Sequence, residues 1–251
     1  MKILIVNDDG IDSPGLRRLV EASIRYGEIW VVAPDGERSC ASHSMTIKVP
    51  VDIYPVDYGI DGVHAFKCTG LPTDCFRIAS QNVMPSPPDI VFSGINNGFN
   101  MGTDIQYSAT VGAALDAAMC GYPVIAFSEG FQGDERQVGD PAEVTMKYLP
   151  TVLDELIGTK SSGDISKTSV APGRVVNVNF PDCSPDACKG ILYNRKVSNT
   201  PFVDYYTEEE IAGGGKRYTI HWVERDHAEE GTDVKALLDG YVSIGIVNNL
   251  S

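Results

Sequence analysis

Lys2-Ile3-Leu4-Ile5-Val6-Asn7-Asp8-Asp9-Gly10, directly after the initial Met1, decides the fold. Lys2–Asn7 reads as a strand buried on both faces, because an unbroken apolar run closed by a turn signal is the pattern of a central strand in a parallel sheet. Two neighbouring acids and a glycine follow at once, where such a strand would leave the sheet.

Working outward, further β-rich runs lie at Ile29–Ala33, Val63–Cys68, Asp89–Ser93 and Val124–Ser128. Helical periodicity fits between them at Leu16–Ile24 and Cys75–Gln81, and strands alternating with helices predict an α/β fold, a Rossmann-like doubly wound and mostly parallel sheet. Ser13 and Pro14 supply an N-cap and a first-turn proline, while Ala109–Cys120 reads as a helix ended by Gly121 and stopped by Pro123. Asp140 and Pro141 can open a helix that runs through Leu156, and Gly158–Gly173 has no apolar period and reads as a linker. Val175–Phe180 resumes as a strand. Two extended runs, around Ile191–Val197 and Arg217–Val223, flank an acidic segment and the Gly213-Gly214-Gly215 turn, which predicts a hairpin extension. Thr232 can cap a short helix to Leu238, and Tyr241–Val247 reads as a strand returning to the sheet. The expected organisation is thus a core over 1–189, an extension over 190–230 and a returning helix and strand over 231–251.

The composition limits partners. At 251 residues and 43% hydrophobic, the chain can bury a full core; its net charge of −14, without a dense basic run, disfavours long nucleic acids and anionic membranes. It does not exclude a small anion, since a bound metal ion outweighs distant, screened charge. The amino terminus is neither a signal peptide nor long enough to span a bilayer, so the expected location is cytoplasmic. Six cysteines without a C-x-x-C pair read as free thiols, and four histidines without ligand spacing argue against a zinc site. Any metal here is expected to be held by oxygen.

In an open parallel sheet, ligands bind beyond the carboxyl ends of the strands. Strand one delivers Asp8 and Asp9 there. Their mutual repulsion, about 4 kcal/mol at 4 Å and an effective dielectric of about 20, is a cost that a divalent cation reverses. Either acid could instead cap the next helix, but Asp12 and Ser13 sit closer to that start. PDIVFSG is followed by Ile95-Asn96-Asn97-Gly98-Phe99-Asn100-Met101-Gly102, rich in amide donors and carbonyl ligands on a pliant backbone. Tyr107-Ser108-Ala109-Thr110 then opens a helix whose N-terminal amides can receive a phosphate, with the Ser108 and Thr110 hydroxyls as further donors. After strand two, the polar loop Ala33–Ser44 could fold over the acids and bring a hydroxyl to a cation; His43 reads as a surface loop residue before a general acid.

These segments together resemble the SurE family of survival proteins, which are nucleotidases acting on nucleoside 5′- and 3′-monophosphates. The matching runs are NDDG, APDGERS followed by ASHS, CTGLPTDC, SGINNGFNMGTD, YSATVGAA and NVNFP, spread over nearly the whole chain. The resemblance implies metal ligands at Asp8, Asp9, Ser39 and Asn96 for one magnesium or manganese ion per subunit. Asp8, Asp9 and Asn96 would be the catalytic residues, and Asn100, Ser108 and Thr110 the phosphate contacts. It also implies a hairpin exchanged between subunits in a homodimer or homotetramer. The chain departs from the family pattern at Cys40 and Ala109, where Gly is usual, at Asp116, where Glu is common, and in the final GYVSIGIV, which lacks the usual Thr-Pro ending.

The expected function is therefore metal-dependent hydrolysis of nucleoside monophosphates to nucleoside and phosphate, with short polyphosphate as a further substrate. The alternative is a catalytically weak nucleotide-binding or stress-interaction protein that keeps the fold. A receiver-type signalling domain is disfavoured because PDIVFSG ends in Ser93 and Gly94 where an acceptor aspartate belongs. A haloacid-dehalogenase-like phosphatase is disfavoured because the D-x-D spacing is absent.

Overall fold

The computed structural model describes residues 1–133, 137–158, 170–199, 203–223 and 225–248. Strands β1 (Lys2–Val6), β2 (Glu28–Pro34), β3 (Ile53–Val56), β4 (Val63–Cys68), β5 (Ile90–Asn97), β6 (Val124–Glu129), β7 (Val175–Phe180), β8 (Ile191–Arg195) and β11 (Val242–Val247) form one nine-stranded sheet. Its order is β3-β4-β2-β1-β5-β6-β7-β11-β8, with β4 to β7 all parallel to one another and β3 and β11 antiparallel to their neighbours β4 and β7. The chain builds outward from β1 through β2 to β4 and then restarts with β5 on the other side of β1. The two halves meet between β1 and β5, and the carboxyl ends of these strands bound the crevice where open α/β sheets take ligands.

The alternation of β1 explains its central place. Ile3 and Ile5 face α1 (Pro14–Ser23) and α4 (Pro141–Ile157), packing with Leu16, Leu19, Val20, Val152 and Leu153; Leu4 and Val6 face α2 (Pro72–Ile78) and α3 (Ala109–Met119), packing with Phe76, Val111 and Ala114. All four strand residues have no exposed surface, so each contributes about 1.5–3 kcal/mol of apolar burial. The helix caps follow the sequence signals. Ser13 accepts from Leu16 N–H, Ser108 from Val111 N–H, Asp140 from Glu143 N–H and Thr232 from Lys235 N–H at the start of α5 (Asp233–Leu238). All six cysteines are free thiols.

Two sequence expectations are corrected, and one strand is added to those expected. The first hairpin arm is not Ile191–Val197: Ile191–Arg195 is β8, the edge strand beside β11, and the arm that pairs with β10 (Gly215–Val223) is β9 (Val203–Ile211). DYYTEEEI looks like an acidic spacer because neither of its faces packs on the core, and Lys216–Glu208 and Arg217–Glu209 ion pairs cross the ribbon in place of apolar contacts. The added strand is β3, an edge strand containing Pro55, which a sheet tolerates only at such an edge. The second correction is α2, which begins at Pro72 and not Cys75, since the Asp74 carboxylate accepts from Leu71 N–H at 2.9 Å and fixes the start. Most of the expected Gly158–Gly173 linker, residues 159–169, lies outside the described residues. No helix among the described residues is long and apolar enough to cross a membrane.

Candidate active site at the β1–β5 crevice

The end of β1 is shaped by glycine. Gly10 has φ +101°, a conformation that side-chain-bearing residues rarely adopt, and a Cβ there would press on the Gly36 backbone at 3.2 Å. This close approach lets the loop after β2 cross directly over the acids, and Arg38 N–H donates to the Asp8 carbonyl at 2.7 Å. Across the crevice, β5 advances from Ser93 to Asn96 while β6 advances only from Ala126 to Ser128. Such a bulge bends a strand locally, and beyond it Asn97 N–H reaches Asp9.

Asp8, 3% exposed, accepts a hydrogen bond from the Thr110 hydroxyl, which also lies 3.2 Å from Asn96 Oδ1. Asp9 Oδ2 accepts from Asn97 N–H at 3.1 Å. Asp8, Asp9, Asn96 and Thr110, from three separate elements, therefore meet at one point. Burial, foremost, together with the charges of Asp9 and Glu37, pushes the Asp8 carboxyl up to about 7 against the opposing bond from Thr110. Burial also raises Asp9, with Asn97 N–H lowering it and Glu37 raising it. Among the described residues, no Lys, Arg or His forms an ion pair with either acid. This is a concentration of oxygen ligands whose charge no cationic side chain among the described residues neutralises.

The residues predicted from sequence do not all stand alike. Asn96 sits beside Thr110 and donates from Nδ2 to Gly98 carbonyl at 2.7 Å, which aims its Oδ1 back toward Asp8. Ser39 is exposed, and its hydroxyl donates to Glu37 Oε1 at 2.6 Å, so the loop reaches the acids through the Arg38 backbone and the Glu37 charge. Thr110 is fully buried with its hydroxyl on Asp8; it orients an acid instead of standing free as a phosphate donor. Ser108 accepts from Val111 N–H at 3.0 Å as the α3 cap, which leaves its own proton available. Asn100 is 5% exposed and serves as a framework: its Nδ2 donates to Ser128 Oγ at 2.8 Å and its N–H to Asn179 Oδ1 at 2.9 Å.

Other residues proved important without a role assigned from sequence. Asn177 and Asn179, in the apolar strand VVNVNF, donate to the Asn100 carbonyl at 2.8 and 3.0 Å and so clamp the loop that follows β5. Their signal was two asparagines inside a fully buried strand, where each polar group needs a partner. Asp233, 5% exposed, accepts from Gly102 N–H and Ser198 N–H, both at 2.8 Å, and ties that loop to α5. Burial pushes Asp116 up, but His43 at 3.3 Å and a two-pronged bond from Arg77 at 2.7 and 2.8 Å outweigh it and hold the acid below its ordinary value. His43 thus fastens its loop to α3, against Gly112, where a Cβ would lie 2.3 Å from the Ser42 carbonyl oxygen.

Among the described residues no cluster of three or more His, Cys, Asp or Glu side chains is arranged around a common ion. Two carboxylates with amide, hydroxyl and backbone oxygens nearby nevertheless fit a hard cation: magnesium characteristically takes one or two carboxylates and leaves its other positions to water and substrate phosphate. The first turn of α3 borders the same crevice through Thr110, and a helix start is a place that favours an anion.

Fold and site together define an α/β protein with an acidic, anion-receptive crevice at its topological switch point. The family model described as "Survival protein SurE" matches residues 3–201. A "5'-nucleotidase SurE" from Clostridium botulinum (strain Loch Maree / Type A3) is 35% identical over 244 residues, covering 97% of this chain and 91% of the relative. A "5'/3'-nucleotidase SurE" from Erwinia tasmaniensis is 35% identical over 249 residues, covering 97% and 88%. The crystal structure of the SurE protein from Aquifex aeolicus superposes with a TM-score of 0.79 at 32% identity, covering all of this chain and 95% of that one. The chain belongs to the SurE family.

Proposed function

We propose that the chain is a divalent-metal-dependent phosphatase that hydrolyses nucleoside 5′- and 3′-monophosphates to nucleoside and phosphate. The observation that carries this reading is the pairing of buried Asp8 with half-buried Asp9, without a cationic partner among the described residues, at the switch point and beside the start of α3. The names of the relatives support the substrate class. A short polyphosphate would present the same terminal phosphoryl group and belongs in the same assay.

Asp8, Asp9 and Asn96 would hold one magnesium or manganese ion, and Ser39 would complete the set once its hydroxyl leaves Glu37. When bound, that ion supplies Lewis-acid polarisation of the phosphoryl group. The chain's own groups do the positioning. Thr110 fixes the Asp8 carboxylate and Asn97 N–H fixes that of Asp9, so neither acid has to reorganise during the reaction. The N–H groups of Ala109 and Thr110, which have no acceptor within their helix, and the Ser108 hydroxyl face the charge that builds on the equatorial phosphoryl oxygens. Asn100 holds the shape of the loop that closes the other side. In the net reaction, water adds to phosphorus, the ester P–O bond breaks, and the nucleoside leaves as an alcohol.

The hairpin supports self-association as a homodimer or homotetramer by exchange of β9–β10. These strands pair with each other and not with the main sheet, and they expose Tyr205, Tyr206, Tyr218 and Trp222. Phosphate release from a panel of nucleoside monophosphates and inorganic triphosphate, with magnesium, manganese or chelator, tests the reading beside Asp8→Ala. Release that depends on metal and is lost in Asp8→Ala is expected. Release that survives both treatments overturns it.

A further inference from the structure

We propose that Tyr107 is the platform on which the nucleobase stacks. This rests on the nucleotidase reading and specifies how that site holds the part of the substrate remote from phosphorus. Tyr107 is 62% exposed, the most exposed aromatic outside the hairpin among the described residues; Tyr54, the other large one, lies on β3 at the far edge of the sheet. It immediately precedes Ser108, the cap of α3, so its Cα is about 3.8 Å from that of a residue assigned to the phosphate. A ribose bridges a comparable gap between phosphate and base.

The backbone beneath this ring is fixed while the ring itself is free. Tyr107 N–H donates to the Asp104 carbonyl at 2.9 Å, and its own carbonyl accepts from Ser42 N–H at 3.0 Å. Asp104 is gripped by Arg225, whose side chain is 7% exposed, through Nη1 at 2.8 Å on Oδ2. Gly102, at the start of the same turn, is held by Asp233. An aromatic ring left in water on a braced turn forfeits apolar burial in the free protein, and a flat π-surface is the partner that recovers it. No ring contact or hydrogen bond from the phenol group occupies it among the described residues.

A stacking platform reads the face of a base, not its edge, so purines and pyrimidines are both accepted and purines gain more overlap. The test compares kcat/KM for AMP and UMP with that for glycerol phosphate, which has no base, in wild type, Tyr107→Ala, Tyr107→Phe and Tyr107→Trp. In Tyr107→Ala the AMP-to-glycerol-phosphate ratio falls about 5- to 100-fold, mainly through KM, and UMP falls less. Tyr107→Phe and Tyr107→Trp hold the ratio within about threefold of wild type, which excludes a merely structural role. An unchanged ratio in Tyr107→Ala, or a loss in Tyr107→Phe equal to that in Tyr107→Ala, overturns the inference and leaves the nucleotidase reading standing. A wild-type chain that hydrolyses glycerol phosphate but no nucleotide overturns the nucleotidase reading, and this inference with it.

Discussion

Replacing Asp8 with Asn should make the metal-free protein more stable while removing its activity. Asn keeps an Oδ1 acceptor for the Thr110 hydroxyl and the same volume, so the substitution deletes a charge and little else. The Asp8 carboxyl rises from 3.8 to about 7 on folding, chiefly through burial. Between those values the folded chain binds more protons than the unfolded one. The stabilising contribution of the protonated acid is thus complete below about pH 4 and lost as pH rises through about 7. At about 1.4 kcal/mol per unit the ceiling is on the order of 4 kcal/mol, and roughly half survives once water and side chains relax around the charge. For a chain of this size, about 2 kcal/mol moves Tm by roughly 4–8 °C. Thermal unfolding of both proteins in chelator, at several pH values from 4.5 to 8, reads this directly. The Asn variant should draw level near the acid end and pull ahead steadily toward pH 8. Manganese should narrow or reverse the gap, because it stabilises only the chain that binds it. A variant less stable than wild type at every pH would refute the reasoning, since it would mean that the ionised Asp8 has compensation within the fold.

Thr110→Val conserves shape but removes the bond that orients Asp8, and should weaken manganese binding about 10- to 100-fold, measured by calorimetry, with little change in fold. Cys40 has φ +57°, so Cys40→Gly should relieve about 1 kcal/mol of left-handed strain, offset in part by the freer unfolded chain, and leave stability equal or higher in urea unfolding. A clear loss would show that the Cys40 side chain contributes packing. Gly112→Ala gains about 1 kcal/mol of helix propensity, yet its Cβ would lie 2.3 Å from the Ser42 carbonyl oxygen. Net destabilisation of roughly 1–3 kcal/mol and faster hydrogen exchange at Ser42 N–H are expected; unaltered exchange would mean that the loop is not seated there.

What could be read from sequence follows from how each signal arises. The buried strands β1, β2, β5, β6 and β7 announce themselves because both of their faces are covered, and α1 and α3 because cap, apolar stripe and terminator coincide. The Asp8–Asp9 pair was legible because two adjacent acids at the end of a buried strand need an explanation. The hairpin's first arm was misplaced because an exposed ribbon has no core to impose periodicity; its register is carried by cross-strand partners such as Arg217 opposite Glu209. Asn177, Asn179 and Asp233 stayed without a role for a different reason. Their partners are backbone groups of the loop after β5, far away in sequence, and only the folded chain brings them within hydrogen-bond reach. The dual position of Thr110, on a helix yet bonded to β1's acid, was likewise a property of packing and not of local pattern.

The most direct test of the central claim is calorimetric titration of the metal-stripped chain with manganese at pH 8, beside the Asp8→Asn variant. One ion per chain should bind to wild type and none measurably to the variant under the same conditions. Equal binding by both proteins, or none by either, would contradict an acid pair at the β1–β5 crevice that is completed by a divalent cation.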